Sequence, residues 1–473
     1  MSTRTAPRTT KNPSWAARVG LLLVIAACGT PAFADVLTVQ AAYQKGEFAA
    51  ALAGFRELAE LGEPAAQYNL AVMYARGEGT RKNDVDAYAW AVISAENGNP
   101  SGKGLAEKVR PYLAPGSERV LGELESHFGP TALAERLLPQ ALSPEDDELA
   151  QKRCASVRKT NLSLGYPLQA RAEGRQGGVF VGFTLMPDGH AQDPRILYII
   201  PRKGFERDVR ARLLSDRFGV APAGTPPLEC TGFYVFILSE MEGSSGRVID
   251  AFVANTLRQA KAGDPLAQLH YAMMVQSGVP ASKPARREAL PWFVKASQAG
   301  LPEAQFALGY CLLKGVGVRH DESKALFWLG KAAANREPDA EVALAAHALA
   351  AGSDLDSFKR AMDWLEQAVE QSNDDGILYL SALLATAPDA TLRDPQRSLT
   401  LIDAFLAKGQ ADPRAFEVRA AALAALGRFP EAINEEQTSI KLARAAEWDT
   451  GPLSERLASY QASRPWSGEL IKF

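Results

Sequence analysis

Two hydrophobic periods divide this chain. On either side of its middle, apolar residues recur every three to four positions, the stripe of an amphipathic helix. Between Tyr166 and Leu238 the period drops to two. Val179, Val181, Phe183 and Leu185 fall on one face of a strand. Phe180 is apolar on the other face, which is therefore expected to be partly covered as well. A Pro187-Asp188-Gly189 turn ends the run, and a second β-rich segment, Ile196 to Ile200, follows at hairpin distance. Phe205, Val209 and Leu213 then recur every four residues and predict a helix over 205–216, with Gly232 to Leu238 as a last strand. The order β-β-α-β, with the helix packed on one sheet face, predicts a small α+β module.

The flanking helical stretches repeat. Trp292, Trp328 and Trp364 stand 36 apart, and Ala289, Ala325 and Ala361 keep the same step three residues earlier. Ala87 and Trp90 repeat the pair in the N-terminal half. Ahead of several of these lies a helix that begins near a proline and reads Ala-Gln, at Ala66-Gln67, Ala267-Gln268 and Ala304-Gln305. The clearest unit, Pro302 to Ala333, contains two amphipathic helices separated by a Gly315-Val316-Gly317 stop. Helix-turn-helix units at a period near 36 predict a solenoid. Gly376 to Leu406 keeps the period without the tryptophan. Glu240 to Gly246 is small-residue and glycine-rich and predicts a linker.

These patterns carry two family resemblances. The repeats resemble Sel-1-like repeats, relatives of the tetratricopeptide repeat, over roughly 40–99 and 263–371; 412–442 is closer to a tetratricopeptide unit. The middle stretch resembles the TonB C-terminal domain through Tyr166, Pro167, Ala170, Arg171, Gly177, Val179, Val181, Phe183, Asp188, Gly189, Arg217, Phe218 and Pro222. It departs from that family at Pro201-Arg202-Lys203-Gly204 and at Phe205-Glu206. The resemblance implies contact with outer-membrane receptors or peptidoglycan, and strand addition at a sheet edge as the mode of contact. On this basis Phe233, Val235, Ile237, Arg202 and Lys203 are the expected partner-binding residues.

Charge and composition narrow the setting. Arg4, Arg8, Lys11 and Arg18 form a basic start without acids, Val19 to Ala27 is a short apolar core, and Ala32-Phe33-Ala34 is a small-residue cleavage site. Residues 1–34 therefore read as an export signal, too short in its apolar part to span a bilayer. Ile25-Ala26-Ala27-Cys28 is a competing lipoprotein box. Cleavage after Ala34 takes away four positive charges and moves the net charge from −3 to −7, which argues against a nucleic-acid partner. In an oxidising compartment Cys154 and Cys230, which bracket the module 76 positions apart, are expected to pair as a disulfide, whereas Cys311 reads as a buried core thiol.

Side chains able to do chemistry are scattered. His127, His190, His270, His320 and His347 have no second ligand at metal spacing, and no nucleophile elbow, phosphate loop or Cys-x-x-Cys is present. No catalytic, cofactor or metal site is assigned, and no cofactor. The tryptophans at repeat spacing read as wedges between helices.

The sequence thus predicts a mainly α protein in which two α-solenoid arrays flank one α+β module. The expected boundaries are a signal peptide 1–34, N-terminal repeats 35–114, a helical connector 115–150, the module 151–240, C-terminal repeats 247–445 and a cap or tail 446–473. The function expected is that of a periplasmic binding scaffold whose repeats take a protein or peptide. Membrane association would follow only from lipidation of Cys28 or an uncleaved signal. A TonB-type energy transducer is the alternative, although the chain lacks a proline-rich spacer; a cell-envelope enzyme is a third, without a catalytic constellation. Because repeats contact only their neighbours, the array and the module are expected to melt separately.

Overall fold

The computed structural model describes residues 36–470, apart from 61, 155, 159–171, 174–176, 201–204, 206–208, 210–212, 214–215, 223, 237–244, 280–285, 353, 410–411 and 446–447. The export signal with Cys28, the Tyr166–Arg171 opening of the module and most of the 240–246 linker lie outside the described residues.

Helical pairs follow one another on both sides of the module. In the N-terminal half Val36–Gln44 pairs with Phe48–Glu60, and Pro64–Arg76 with Asp84–Glu96. The C-terminal array runs from Ser245–Lys261 and Pro265–Gln276 through Pro302–Lys314 with Glu322–Ala334, Pro338–Ala351 with Leu355–Glu370, Asp374–Thr386 with Pro395–Leu406, and Pro413–Ala425 with Phe429–Ala445. Gly451–Gln461 ends it. Proline opens the first helix of most pairs, where its missing N–H costs nothing. Side chains of Asp264, Asp321, Asp354, Asn373 and Asp412 cap helix starts by accepting backbone N–H groups. Gly77 and Gly315 stop helices in the left-handed conformation, φ 74° and 68°.

The Ala-Gln signature has a physical cause. Each glutamine is buried and donates its amide N–H to the carbonyl eight residues upstream, at the end of the preceding helix. The pairs are Gln67 with Ala59 at 3.0 Å, Gln268 with Ala260 at 3.2 Å and Gln305 with Ser297 at 3.2 Å. Carbonyls in a last helical turn lack their usual helical partner; each of these accepts a backbone N–H from the glycine three residues on, Gly62, Gly263 or Gly300, and the glutamine of the next helix adds a second bond. The alanine beside it packs where the helices touch, with Ala66, Ala267 and Ala304 all buried. Trp90, Trp328 and Trp364 are buried as the wedge assignment requires, while Trp292 is only half-buried against the core.

In the module, β2 (Gly177–Leu185) is the central strand of an antiparallel sheet ordered β3-β2-β5, with β3 at Ala191–Ile200 and β5 at Leu228–Phe236. The short strands β1 (Ser156–Arg158) and β4 (Arg217–Phe218) pair separately. Val179, Val181, Phe183 and Leu185 face a core with Phe205, Val209, Leu213, Phe218, Cys230 and Phe236, and Phe205 stacks on Phe236 at 4.4 Å. Cys154 and Cys230 form a disulfide, Cα–Cα 5.6 Å, which ties the helix Pro144–Cys154 to β5.

Three differences from the sequence expectation stand out. Strand β3 begins five residues earlier than Ile196 and contains Pro194. That residue falls in the register irregularity between the Gly182–Arg195 and Thr184–Gln192 pairs, and on an edge strand, where its missing N–H is tolerated. The last strand begins at Leu228 rather than Gly232, because Glu229 and Thr231 alternate onto the side that meets the array. The β1–β4 pair is too short to carry a two-residue period.

Candidate functional site

The second face of the sheet is docked onto the C-terminal array. Phe180 and Leu197 are buried in the array's own hydrophobic core, together with Leu269, Phe306, Tyr310 and Trp328. Gly182 shows how close the approach is. A Cβ there would lie 2.4 Å from the Tyr310 hydroxyl oxygen and 3.1 Å from Leu197 Cδ1, so a side chain would force the two bodies apart. Lys314 reaches Glu229 of β5 at 3.6 Å, and Thr184 donates to the same carboxylate at 3.2 Å. Tyr198 of β3 lies against His270, ring centroids 5.6 Å apart. The array elements involved, Pro265–Gln276 and Pro302–Lys314, are the first helices of their pairs. All of Glu303 to Leu312 is buried, so that helix is covered on both sides.

Burial sets the electrostatics of this seam. It lowers the His270 imidazole to about 4, against a weak opposing pull from Asp264. It raises the Tyr310 phenol and pushes the Cys311 thiol up to about 12, with Gln276 opposing. Cys311 is therefore a protonated core thiol.

Of the expected partner-binding residues, Phe233 and Val235 lie on β5, opposite Phe180 and Gly178 of β2. Strand β5 is one edge of the sheet. Ile237, Arg202 and Lys203 lie outside the described residues.

Two further constellations went unnoticed in the sequence. One is a pocket of about 200 Å³ where the two halves of the molecule meet. It is lined by Leu133 and Leu137 of the connecting helix Pro130–Leu137, by Phe327, Trp328 and Lys331 of the C-terminal array, and by Glu96 of the N-terminal one. Beside it the connector is bonded to the array backbone, Arg319 N–H to the Gln140 carbonyl at 2.8 Å, with Ala141 bridging Val318. The other lies under the terminal helix. Glu417 and Glu436, from paired helices, meet Arg456 and Tyr460 of Gly451–Gln461, and all four are buried. Burial raises both carboxyls, Glu436 further because Glu417 is beside it, and Arg456 only partly offsets this. Two carboxyls sharing one guanidinium retain a proton between them at neutrality. These residues come from three successive helices and form no spacing motif. Glu341 was missed too, although a signal was there: it stands 36 after Gln305, in the place of the repeated glutamine, with its side chain fully buried.

Among the described residues no three His, Cys, Asp or Glu side chains gather at ligand spacing, and no helix is long and apolar enough to cross a membrane. Against known families, segments 64–99, 265–301, 302–336 and 338–373 match the Sel1 repeat, and 163–237 matches the Gram-negative bacterial TonB protein C-terminal. The chain carries Sel1 repeats and a TonB C-terminal domain. The Sel1 segments 64–99, 265–301 and 302–336 coincide with the helical pairs that bear the glutamine bond, 338–373 carries Glu341 in its place, and the TonB C-terminal match spans the three-stranded sheet. Among solved structures, similarity is found to a protective antigen of uropathogenic Escherichia coli displaying an SLR fold (TM-score 0.36, 16% identity, 90% of this chain and 84% of that one). It extends to a Sel1 repeat protein from Oxalobacter formigenes (0.32, 14%, 87% and 99%) and to yeast Tom70 (0.29, 12%, 90% and 72%). No curated protein matches.

Proposed function

We propose that this protein is an exported envelope scaffold whose Sel1 array holds the TonB C-terminal domain by one sheet face and presents its β5 edge to a partner. The observation that carries this reading is the docked sheet. Phe180, Gly182 and Glu229 commit one face to Tyr310 and Lys314, while Phe205, Val209 and Leu213 pack on the other. With both faces committed, an edge is the surface through which an extended segment can add, supplying backbone hydrogen bonds for affinity. The partner in this proposal is an outer-membrane receptor segment or a cell-wall component, the location is the periplasm, and no catalytic step is assigned.

Val235→Pro tests the edge, because proline cannot donate to the ladder and narrows the backbone. Sedimentation with purified peptidoglycan and capture of solubilised outer-membrane protein should both be lost in a variant that keeps its disulfide and its circular dichroism. Undiminished binding by a folded Val235→Pro chain would remove β5 as the docking edge.

A further inference from the structure

The cavity between the two halves combines an apolar depth with donors that have nothing to donate to. Leu133, Leu137, Val294, Phe327 and Trp328 line it and are all buried. Glu96, Leu138 and Gln298 also line it but are exposed, and so mark its mouth. Leu138 keeps 45% of its surface in water, a large apolar side chain left uncovered beside an apolar hollow. At the edge the N-terminal array and the connector already touch. A Cβ at Gly62 would lie 2.5 Å from Leu133 Cδ1.

Two donors on this lining lack acceptors. Lys331 is half-buried, its Nζ 5.2 Å from the Phe327 ring centre and 6.0 Å from that of Trp328. Among the described residues that ammonium has neither a hydrogen bond nor an ion pair. Burial lowers its pKa, and the opposing pull comes from Glu63. The Glu63 carboxylate is itself engaged elsewhere, accepting the Ala66 N–H at 2.7 Å at the start of the helix Pro64–Arg76. The indole N–H of Trp328 is buried and has no acceptor among the described residues. An ammonium drawn into an apolar setting without a counter-charge is costly, and ring faces offset only part of the cost. An anion entering the cavity supplies the missing partner. Glu96, the other charged side chain of the lining, stands exposed at the mouth, where water screens its pull on a cation.

Volume sets the size of the ligand. An apolar cavity of about 150 Å³ takes a benzene ring; about 200 Å³ takes a ring or a branched aliphatic group together with a carboxylate. We propose that this cavity binds a small monocarboxylate with an aromatic or branched aliphatic body, the carboxylate pairing with Lys331 and the body lying among Leu133, Leu137 and Phe327. A free acid and the apolar last residue of a peptide offer the same chemistry. Because the walls come from both arrays and the connector, an occupied cavity ties the N-terminal repeats to the C-terminal array. The site is independent of the β5 edge.

The probes are phenylacetate, its neutral counterpart phenylacetamide, the cation benzylamine and N-acetyl-glycyl-phenylalanine, titrated into the full chain by calorimetry and followed in thermal melts. A ligand of about ten heavy atoms should bind in the millimolar range or tighter. Phenylacetate should bind at least about tenfold more tightly than phenylacetamide or benzylamine, and should raise the melting temperature. Tighter binding of the acetylated dipeptide than of phenylacetate supports a peptide end as the ligand, and the reverse order a free acid. Lys331→Met keeps the aliphatic stem and removes the charge, so it should erase the preference for phenylacetate over phenylacetamide. Should that variant not fold, Leu138→Glu at the exposed mouth decides: the added charge should weaken phenylacetate by at least about threefold and leave phenylacetamide unchanged. No binding of phenylacetate, equal binding of phenylacetate and phenylacetamide, or tightest binding of benzylamine would overturn the proposal. So would a preference that survives Lys331→Met in a folded chain, or one that Leu138→Glu leaves unaltered.

Discussion

Glu341 occupies a position where its neighbours in the repeat carry glutamine, and replacing it with glutamine should stabilise the array in a pH-dependent way. Gln305 donates to the carbonyl eight residues before it; a carboxylate at Glu341 cannot donate. Its Oε2 accepts from Gln371 Nε2 at 2.9 Å, and its buried Oε1 has no hydrogen-bond partner. Burial consequently raises this carboxyl to about 7, Glu370 adding to the effect and Arg336 and Gln371 opposing it. Since the folded value lies above the ordinary one, the stability linked to the protonated form is fully present at low pH and is lost as pH rises through about 7. The whole shift corresponds to about 3 kcal/mol. Partial screening by Arg336 and solvent leaves about 1–2 kcal/mol. Glu341→Gln removes that loss and restores the amide bond, so urea or thermal melts near pH 8 should gain about 1–2 kcal/mol, or roughly 3–6 °C for an array of this size. Near pH 5 the two proteins should differ little. A difference that does not grow from pH 5 to 8, or a variant less stable at pH 8, would refute the reasoning.

Other expectations can be checked alongside. Trp328→Ala should cost about 3–5 kcal/mol through lost burial and a cavity; because Phe180 and Leu197 share one core with Trp328, near-ultraviolet signals from module and array should fall together in a melt. Cys154→Ser with Cys230→Ser opens a loop of 76 residues and should lower stability by up to about 4–5 kcal/mol, read from melts with and without reductant. Glu436→Gln should flatten the pH dependence of amide exchange in Gly451–Gln461: the raised Glu417–Glu436 pair loosens that helix in the wild type as pH rises above the ordinary carboxylate range, and the variant should not follow.

The repeats were legible because each unit states its own structure locally. Proline at the first helical turn, an Asp or Asn cap, the Ala-Gln pair and a glycine stop recur at a fixed step, so the helical pairs could be read without knowing what they touch. The module was legible for the same reason, through the alternation from Val179 to Leu185 and the four-residue step from Phe205 to Leu213. Missing were matters of which surface meets which. Gly182 and Tyr310 are more than a hundred positions apart, and nothing local marks them as partners. The expectation that array and module melt apart was drawn from nearest-neighbour contacts along a solenoid, whereas Phe180 crosses into the array's core and predicts that they melt together. The Glu417–Glu436–Arg456 group arises only from stacking three helices, whereas Glu341 could have been found as a break in the glutamine series.

The central claim is that the Sel1 array grips the second face of the TonB C-terminal sheet, and zero-length carbodiimide cross-linking measures it directly. Lys314 and Glu229 lie 3.6 Å apart, both about a quarter exposed, near enough to be joined by an amide without a spacer. The account predicts a Lys314–Glu229 cross-linked peptide from the folded monomer, alongside the Lys408–Asp374 link within the array that serves as a control. Recovery of the control link without the Lys314–Glu229 link would contradict the docked arrangement.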